Sequence, residues 1–336
     1  MAILSSVFDP KTIALIGASD RTGSVGRILL TNLLSSKDRK IFPVNPRRST
    51  LLNRACYPDI RGIPEHVDLA VIAIPAEGVP DVVEQCGRAG VDGAVIISAG
   101  FKETGAGGLL RERRISDIRQ RYGMRILGPN CLGFIRPDVG LNTTFIENTP
   151  PPGNIAFISE SASLGSAILN WAIDAHVGFS MFASLGSMID IGFGDLIDFL
   201  SDDWNTKSIL IYMEGVGNAR KFMSAARAFA LRKPIVVLKP GRLTEMTKAA
   251  KYTDAAVGND AIYEAAFKRV GVIRVKDIAG LFQAAGVLDS RKLPRGPRLA
   301  VVTAAGLEFA YAGPGLMATD ALIDLGGEPA RLSPET

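Results

Sequence analysis

Residues 12–34 constrain the fold most. A β-branched and apolar run, Thr12-Ile13-Ala14-Leu15-Ile16, breaks at Gly17-Ala18-Ser19, and Gly23-Ser24-Val25-Gly26 then opens an apolar-periodic helix that reaches Leu34. A strand that enters a helix through glycines lets the backbone come close to a diphosphate. The helix N-terminus adds free N–H groups and a positive dipole end. Any doubly wound sheet needs a tight turn at this point, so the stretch predicts an α/β fold first and an anion second.

The pattern that follows repeats the opening unit. Strands are expected over 40–44, 68–74, 93–97 and 125–127, with helices over 80–89 and 107–122. Such alternation means a parallel sheet with right-handed crossovers. Ligands of these sheets gather beyond the carboxyl ends of the strands. The residues found there are Gly17-Ala18-Ser19, Asn45-Pro46-Arg47-Arg48, Pro75-Ala76, Ser98-Ala99-Gly100-Phe101 and Gly128-Pro129-Asn130-Cys131. An NAD site would place a carboxylate at the end of the second strand. Two arginines stand there instead, which favours a ribose carrying a phosphate: NADP with its 2′-phosphate, or coenzyme A with its 3′-phosphate.

With 336 residues the chain is long enough for two core-bearing domains and the start of a third. Its hydrophobic content of 47% with 21% charged residues describes a globular protein, and no apolar run approaches a membrane span. The N-terminus lacks a signal-peptide layout and is read as cytoplasmic. Cys56, Cys86 and Cys131 have no paired spacing, so neither a disulfide framework nor a metal site is expected. The net charge of +4 is spread along the chain. The basic stretch 111–121 is a solvated helix face without interleaved aromatics, so no nucleic-acid partner is expected.

Pro150-Pro151-Pro152-Gly153 reads as a boundary between a first domain, 1–150, and a second, 151–290. Second-domain strands are expected over 154–158, 179–183, 208–213 and 234–238. The turn Ser159-Glu160-Ser161-Ala162-Ser163 leads into a helix over 164–175 and is a second potential anion site. After a linker at 289–298, residues 299–325 repeat the strand–turn–helix opening. One strand and one helix build no core, so 291–336 is expected to be the truncated start of a third α/β unit in a longer protein.

Taken together, these stretches resemble the α-type, CoA-binding region of the acyl-CoA synthetases (NDP-forming). These include the ADP-forming acetyl-CoA synthetases and, more distantly, the succinyl-CoA synthetase α chain. The resemblance is carried by Ile16-Gly17-Ala18-Ser19 with Gly23-Ser24-Val25-Gly26, by Pro43-Val44-Asn45-Pro46, and by Ile97-Ser98-Ala99-Gly100-Phe101. It continues through Leu127-Gly128-Pro129-Asn130-Cys131-Leu132-Gly133, the run from Gly153 to Ser161 and the run from Lys233 to Arg242. It implies a Rossmann-like CoA-binding domain followed by a flavodoxin-like, succinyl-CoA synthetase-like domain. The implied CoA contacts are Ser19, Gly23, Ser24, Val25, Asn45, Arg47, Pro75, Asn130 and Cys131. ATP or ADP with Mg would enter only through an ATP-grasp β subunit or domain, and assembly into an oligomer is implied.

The family passes a phosphoryl group through a histidine in the second domain, oriented by a glutamate. Glu214 occupies the glutamate's position, but Tyr252 stands where the histidine belongs. A tyrosine phosphate is a stable ester rather than a high-energy phosphoramidate, and a phenol with an ordinary pKa of about 10 is protonated at neutral pH. Neither His66 nor His176 lies where it could substitute; both read as ordinary surface or capping histidines. The chain is therefore expected to bind CoA or acyl-CoA and to lack phosphoryl transfer by itself. A second reading is the regulatory acyl-CoA sensor region of a GNAT-fused protein lysine acetyltransferase, a branch that also lacks the histidine and that residues 178–180 and 218–227 resemble. An NADP-dependent reductase is disfavoured, because the second domain offers no placed proton donor. The third start departs from the family pattern as well, with Leu307 to Ala312 inserted in its turn.

Overall fold

The computed structural model describes residues 2–36, 38–240 and 260–289. Helix α1 (Ala2–Phe8) precedes β1 (Thr12–Ile16), which runs through the glycine turn into α2 (Val25–Leu34) and β2 (Lys40–Val44). A small antiparallel hairpin, β3 (Thr50–Leu51) and β4 (Arg54–Ala55), follows. Then come β5 (Leu69–Ile72), α3 (Val79–Arg88), β6 (Gly93–Ile96), α4 (Ala106–Tyr122) and β7 (Arg125–Leu127). The five long strands form an all-parallel sheet in the order β2-β1-β5-β6-β7. The winding therefore reverses beside β1, which is where such sheets open a crevice. Strands β5 and β6 are buried along their whole length, and their unbroken apolar sequences are what a parallel strand covered on both faces requires. The strand expected over 68–74 ends early: past Ile72 the chain is held by a single ladder bond, Ala73 N–H to Ile16 O (2.9 Å), and by the Ser98 hydroxyl at Ile74.

Two glycines make the opening turn possible. A Cβ on Gly26 would lie 2.1 Å from the Gly17 carbonyl oxygen, and one on Gly17, whose φ is +96°, would lie 2.3 Å from the Ala73 carbonyl oxygen. Helix α2 thus packs its first turn directly on the strand end, a closeness no side chain permits. Leu29, Leu30 and Leu33 on its inner face are fully buried.

The chain next forms the hairpin β8 (Phe134–Arg136) and β9 (Leu141–Asn142). It then alternates through β10 (Pro152–Ser159), α5 (Ala162–Asp174), β11 (Phe179–Ser184), α6 (Phe193–Ser201), β12 (Ser208–Tyr212) and α7 (Ala219–Ala230). The described chain ends with β13 (Ile235–Leu238), α8 (Asp260–Val270), β14 (Ile273–Val275) and α9 (Ile278–Asp289). The second sheet has the order β14-β13-β12-β10-β11-β8-β9. It is parallel from β14 to β11, with β8 antiparallel on β11. The prolines at 150–152 do not interrupt it. Pro152 is the first residue of β10, a position where a missing N–H is tolerated. The chain has already crossed to the second sheet by then, since β8 and β9 precede the prolines; it leaves the first sheet after β7. The truncated third unit expected over 291–336 lies outside the described residues.

The two sheets share a core. Ile13 and Leu15 of β1 and Leu29 and Leu33 of α2 belong to the same buried cluster as Ala156 and Ile158 of β10 and Phe193 of α6. Phe8 of α1 meets Phe134 of β8 edge-on, with ring centroids 5.0 Å apart. A buried charge network supplements this packing. Arg125 at the start of β7 donates from Nε to Asp190 Oδ2 (2.9 Å) and from Nη2 to Asp195 Oδ1 (2.6 Å). Asp190 also accepts the Ile126 N–H and pairs with Arg119, and Asp195 accepts from Lys221 and from the Gly192 N–H. Burial alone would raise the Asp195 pKa, but the bonds from Lys221 and Arg125 outweigh it and hold the carboxyl below its ordinary range. Arg125→Ala leaves two nearly buried carboxylates with one cation each and should cost about 2–4 kcal/mol by urea unfolding. Arg125→Lys, unable to fork to both, should recover less than half of that loss.

Candidate functional site

The first rim lies at the carboxyl ends of β1, β2, β5 and β7. Ser24 caps α2: its hydroxyl accepts from Arg27 N–H (3.3 Å) and donates to Arg21 O (2.7 Å). Ser19 Oγ accepts the Arg21 N–H at 3.1 Å. These bonds fix the loop between Gly17 and the helix, while the remaining N–H groups of the first turn have no intrahelical acceptor. Asn45, at the end of β2, donates from Nδ2 to Ala18 O (2.8 Å) and accepts Arg47 N–H on Oδ1 (2.9 Å). One amide therefore ties the glycine turn to the arginine pair.

A cavity of about 500 Å³ opens here, lined among others by Gly17, Val44, Asn45, Arg47, Ile74 and Gln85. Two arginines beside it are already paired: Arg48 with Asp20 at 3.4 Å and Arg61 with Asp59 at 2.6 Å. The Arg47 guanidinium has no hydrogen bond or ion pair among the described residues.

Of the positions proposed from sequence, Gly23, Val25, Arg47 and Pro75 are exposed, and Ser19, Ser24, Asn45 and Asn130 are half-buried. Asn130 adopts a left-handed backbone with φ +57° and donates its N–H to Ser98 O (3.0 Å). Cys131 differs from the rest. It is only 2% exposed, its Sγ lies 3.4 Å from Ile96 O, and burial pushes the thiol up to about 12. Its thiol faces the core, so only its main chain is available to a ligand.

The second rim lies at the ends of β10, β12 and β13. Glu214 follows β12, and its Oε1 accepts from the Tyr212 hydroxyl at 3.4 Å. Its neighbour across the rim is Glu160, which sequence reasoning did not single out. Glu160 Oε2 accepts the N–H groups of Glu214 (2.8 Å) and Gly215 (2.9 Å) and so holds the turn that carries Glu214. Burial raises the Glu160 pKa against these two bonds, with the Glu214 charge adding to the rise. Burial, with help from Glu214, pushes the Tyr212 phenol up to about 12. Lys239, at the end of β13 and 4.7 Å from the Tyr263 ring centre, is shifted down by burial and then by Arg274. The one advance signal for Glu160 was its place in the turn 159–163, beside Ser161, whose hydroxyl caps α5 by accepting Leu164 N–H (3.3 Å). Tyr252 lies outside the described residues.

The raised pKa of Glu160 has a definite sign. The folded state prefers the protonated carboxyl, so its contribution is fully present below the ordinary carboxylate range and is lost as pH rises through the higher folded value. Glu160→Gln keeps an acceptor for both N–H groups and does not titrate. Its urea midpoint should therefore improve relative to the parent as pH rises from about 4 to about 7.5. A pH-independent difference would contradict the burial of this charge.

Two family models match. A CoA binding domain covers residues 11–137, and a succinyl-CoA ligase like flavodoxin domain covers 152–288. The ADP-forming acetate–CoA ligase I of Archaeoglobus fulgidus is 42% identical over 99% of this chain and 47% of its own length. The α subunit of the ADP-forming acetate–CoA ligase I of Pyrococcus furiosus is 41% identical over 95% of this chain and 69% of its own. The chain thus spans about half the length of the first of these relatives. The dinucleotide-forming acetyl-coenzyme A synthetase 1 of Candidatus Korarchaeum cryptofilum, solved with phosphate and ADP, superposes with a TM-score of 0.91 at 38% identity. That match covers 99% of this chain and 71% of that one. Among the described residues, no helix is long and apolar enough to cross a membrane.

Proposed function

Because the chain belongs to the NDP-forming acyl-CoA synthetase family, as its α-type region, we propose that its working site is the first rim and that it binds CoA or acyl-CoA there. One observation carries the reading: α2 starts in backbone contact with Gly17, beside a cavity whose edge holds Arg47 without an ion-pair partner among the described residues. The first-turn N–H groups and the Gly23–Val25 stretch suit a diphosphate. Arg47 suits the 3′-phosphate of CoA. Ser19, Ser24, Asn45, Pro75, Asn130 and the main chain of Cys131 complete the contact set. CoA, when bound, supplies the thiol that carries the acyl group; the chain's own residues orient it.

Phosphoryl transfer does not belong to this chain alone. Glu214 is present, but position 252 is tyrosine, and a nucleotide with Mg would have to come on an ATP-grasp β subunit or domain. The tyrosine also favours a second reading, an acyl-CoA sensor region attached to a GNAT acetyltransferase. The cytoplasm and an oligomeric state fit both readings.

Calorimetry decides the ligand: CoA should bind and NADPH should not, and the reverse result overturns the proposal. Arg47→Ala should weaken CoA about 10-fold and leave dephospho-CoA nearly unchanged. Equal losses for the two ligands would remove Arg47 from the 3′-phosphate. Incubation with labelled acetyl phosphate, CoA and an ATP-grasp partner should leave no acid-labile label on this chain. Such a label would show that a histidine performs the transfer in place of position 252.

A further inference from the structure

Asp68 and Asp92 each stand one residue before a strand, β5 and β6. These strands pair with Leu69 opposite Gly93, so the two carboxylates occupy the next rung, at the end of the sheet away from the CoA rim. The Gly93 N–H bonds to Asp68 O at 3.1 Å and fixes that rung. Like charges on neighbouring strands are destabilising unless a cation joins them. His66 reaches into this pair: its Nε2 lies 3.6 Å from Asp68 Oδ1 and 3.5 Å from Asp92 Oδ1. All three ligand atoms fall within 4.8 Å of one another, the one such group of histidine, cysteine and carboxylate side chains among the described residues.

We propose that His66, Asp68 and Asp92 bind a divalent transition-metal ion of the zinc type. Ligands about 2.0–2.2 Å from a shared ion at roughly tetrahedral angles are about 3.5 Å apart, which is the spacing found around Nε2. An imidazole nitrogen with two carboxylates suits zinc, cobalt or nickel rather than magnesium or calcium. Asp68 is already oriented to ligate: its Oδ2 accepts the N–H groups of Lys11 (2.6 Å) and Thr12 (3.0 Å), which leaves Oδ1 for a metal, and hydrogen bonds of this kind commonly orient metal-ligating carboxylates. The histidine is 56% exposed, so water can complete the coordination. Ion binding would clamp the starts of two central strands and would offset the paired negative charge. The ligands lie at positions 66, 68 and 92 and form no local motif, which is why no metal was expected from sequence.

The full chain should be titrated with Zn²⁺ against a metallochromic chelator. It should take up a single equivalent, and His176→Ala, which removes the other histidine of the sequence, should do the same. His66→Ala and Asp92→Asn should each weaken uptake by about 10-fold or more. Asp68 is left intact because its other oxygen holds the Lys11–Thr12 backbone. Circular dichroism of each variant guards against loss of fold. The proposal is overturned if the parent takes up no Zn²⁺ below about 100 µM, which would leave a histidine merely ion-paired with two carboxylates. It is equally overturned if folded His66→Ala binds as the parent does.

Discussion

Arg125 is the joint on which the molecule depends. It begins the last strand of the first sheet, and its guanidinium ends on two aspartates, Asp190 just before α6 and Asp195 in the first turn of α6. The planar fork suits this position because it donates in two directions at once, which an ammonium cannot do as rigidly. Apolar burial supplies the bulk of the attraction between the sheets, through the cluster that runs from β1 to β10. Apolar contact is not directional, however, and the charge network selects one docking among many that would bury similar area. The positions of both rims relative to each other follow from that choice.

The two rims repeat one scheme with different chemistry. Each lies where parallel strands end and a helix begins, and in each a strand-end residue is tied across to the next turn: Asn45 to Ala18 in the first, Glu160 to Glu214 and Gly215 in the second. The first rim relies on backbone and on Arg47, which has no ion-pair partner among the described residues. The second gathers two carboxylates, a phenol and a lysine, and burial disturbs the ordinary ionisation of Glu160, Tyr212 and Lys239 among them. Shifted ionisation in a group of this kind is a physical sign of a functional site, and here it surrounds the turn that carries Glu214.

Much of this was legible in the residues. β1, β2 and β7 have the bounds that their apolar runs imply, and the glycine turn holds the conformation that its spacing demands. Periodicity works there because strand and helix each bury one continuous face. It fails for β8 and β9, which have three and two residues and no pattern of their own. Nor does the motif that places Cys131 on the rim reveal that its thiol packs into the core. Glu160 escaped notice because its partners, two backbone N–H groups, lie 54 and 55 residues away, and backbone donors leave no trace in side-chain identity.

The short hairpin of β8 and β9 has a larger effect than its length suggests. β8 supplies the antiparallel neighbour of β11, from residues synthesised before any parallel strand of the second sheet. A nascent chain therefore has the cover for β11 in hand before β11 exists. A second half produced from Pro152 onward would instead present a fully buried strand, Phe179–Ser184, as a bare edge. An unpaired apolar edge recruits strands from other molecules, and the short segment from Phe134 to Asn142 is what covers that edge.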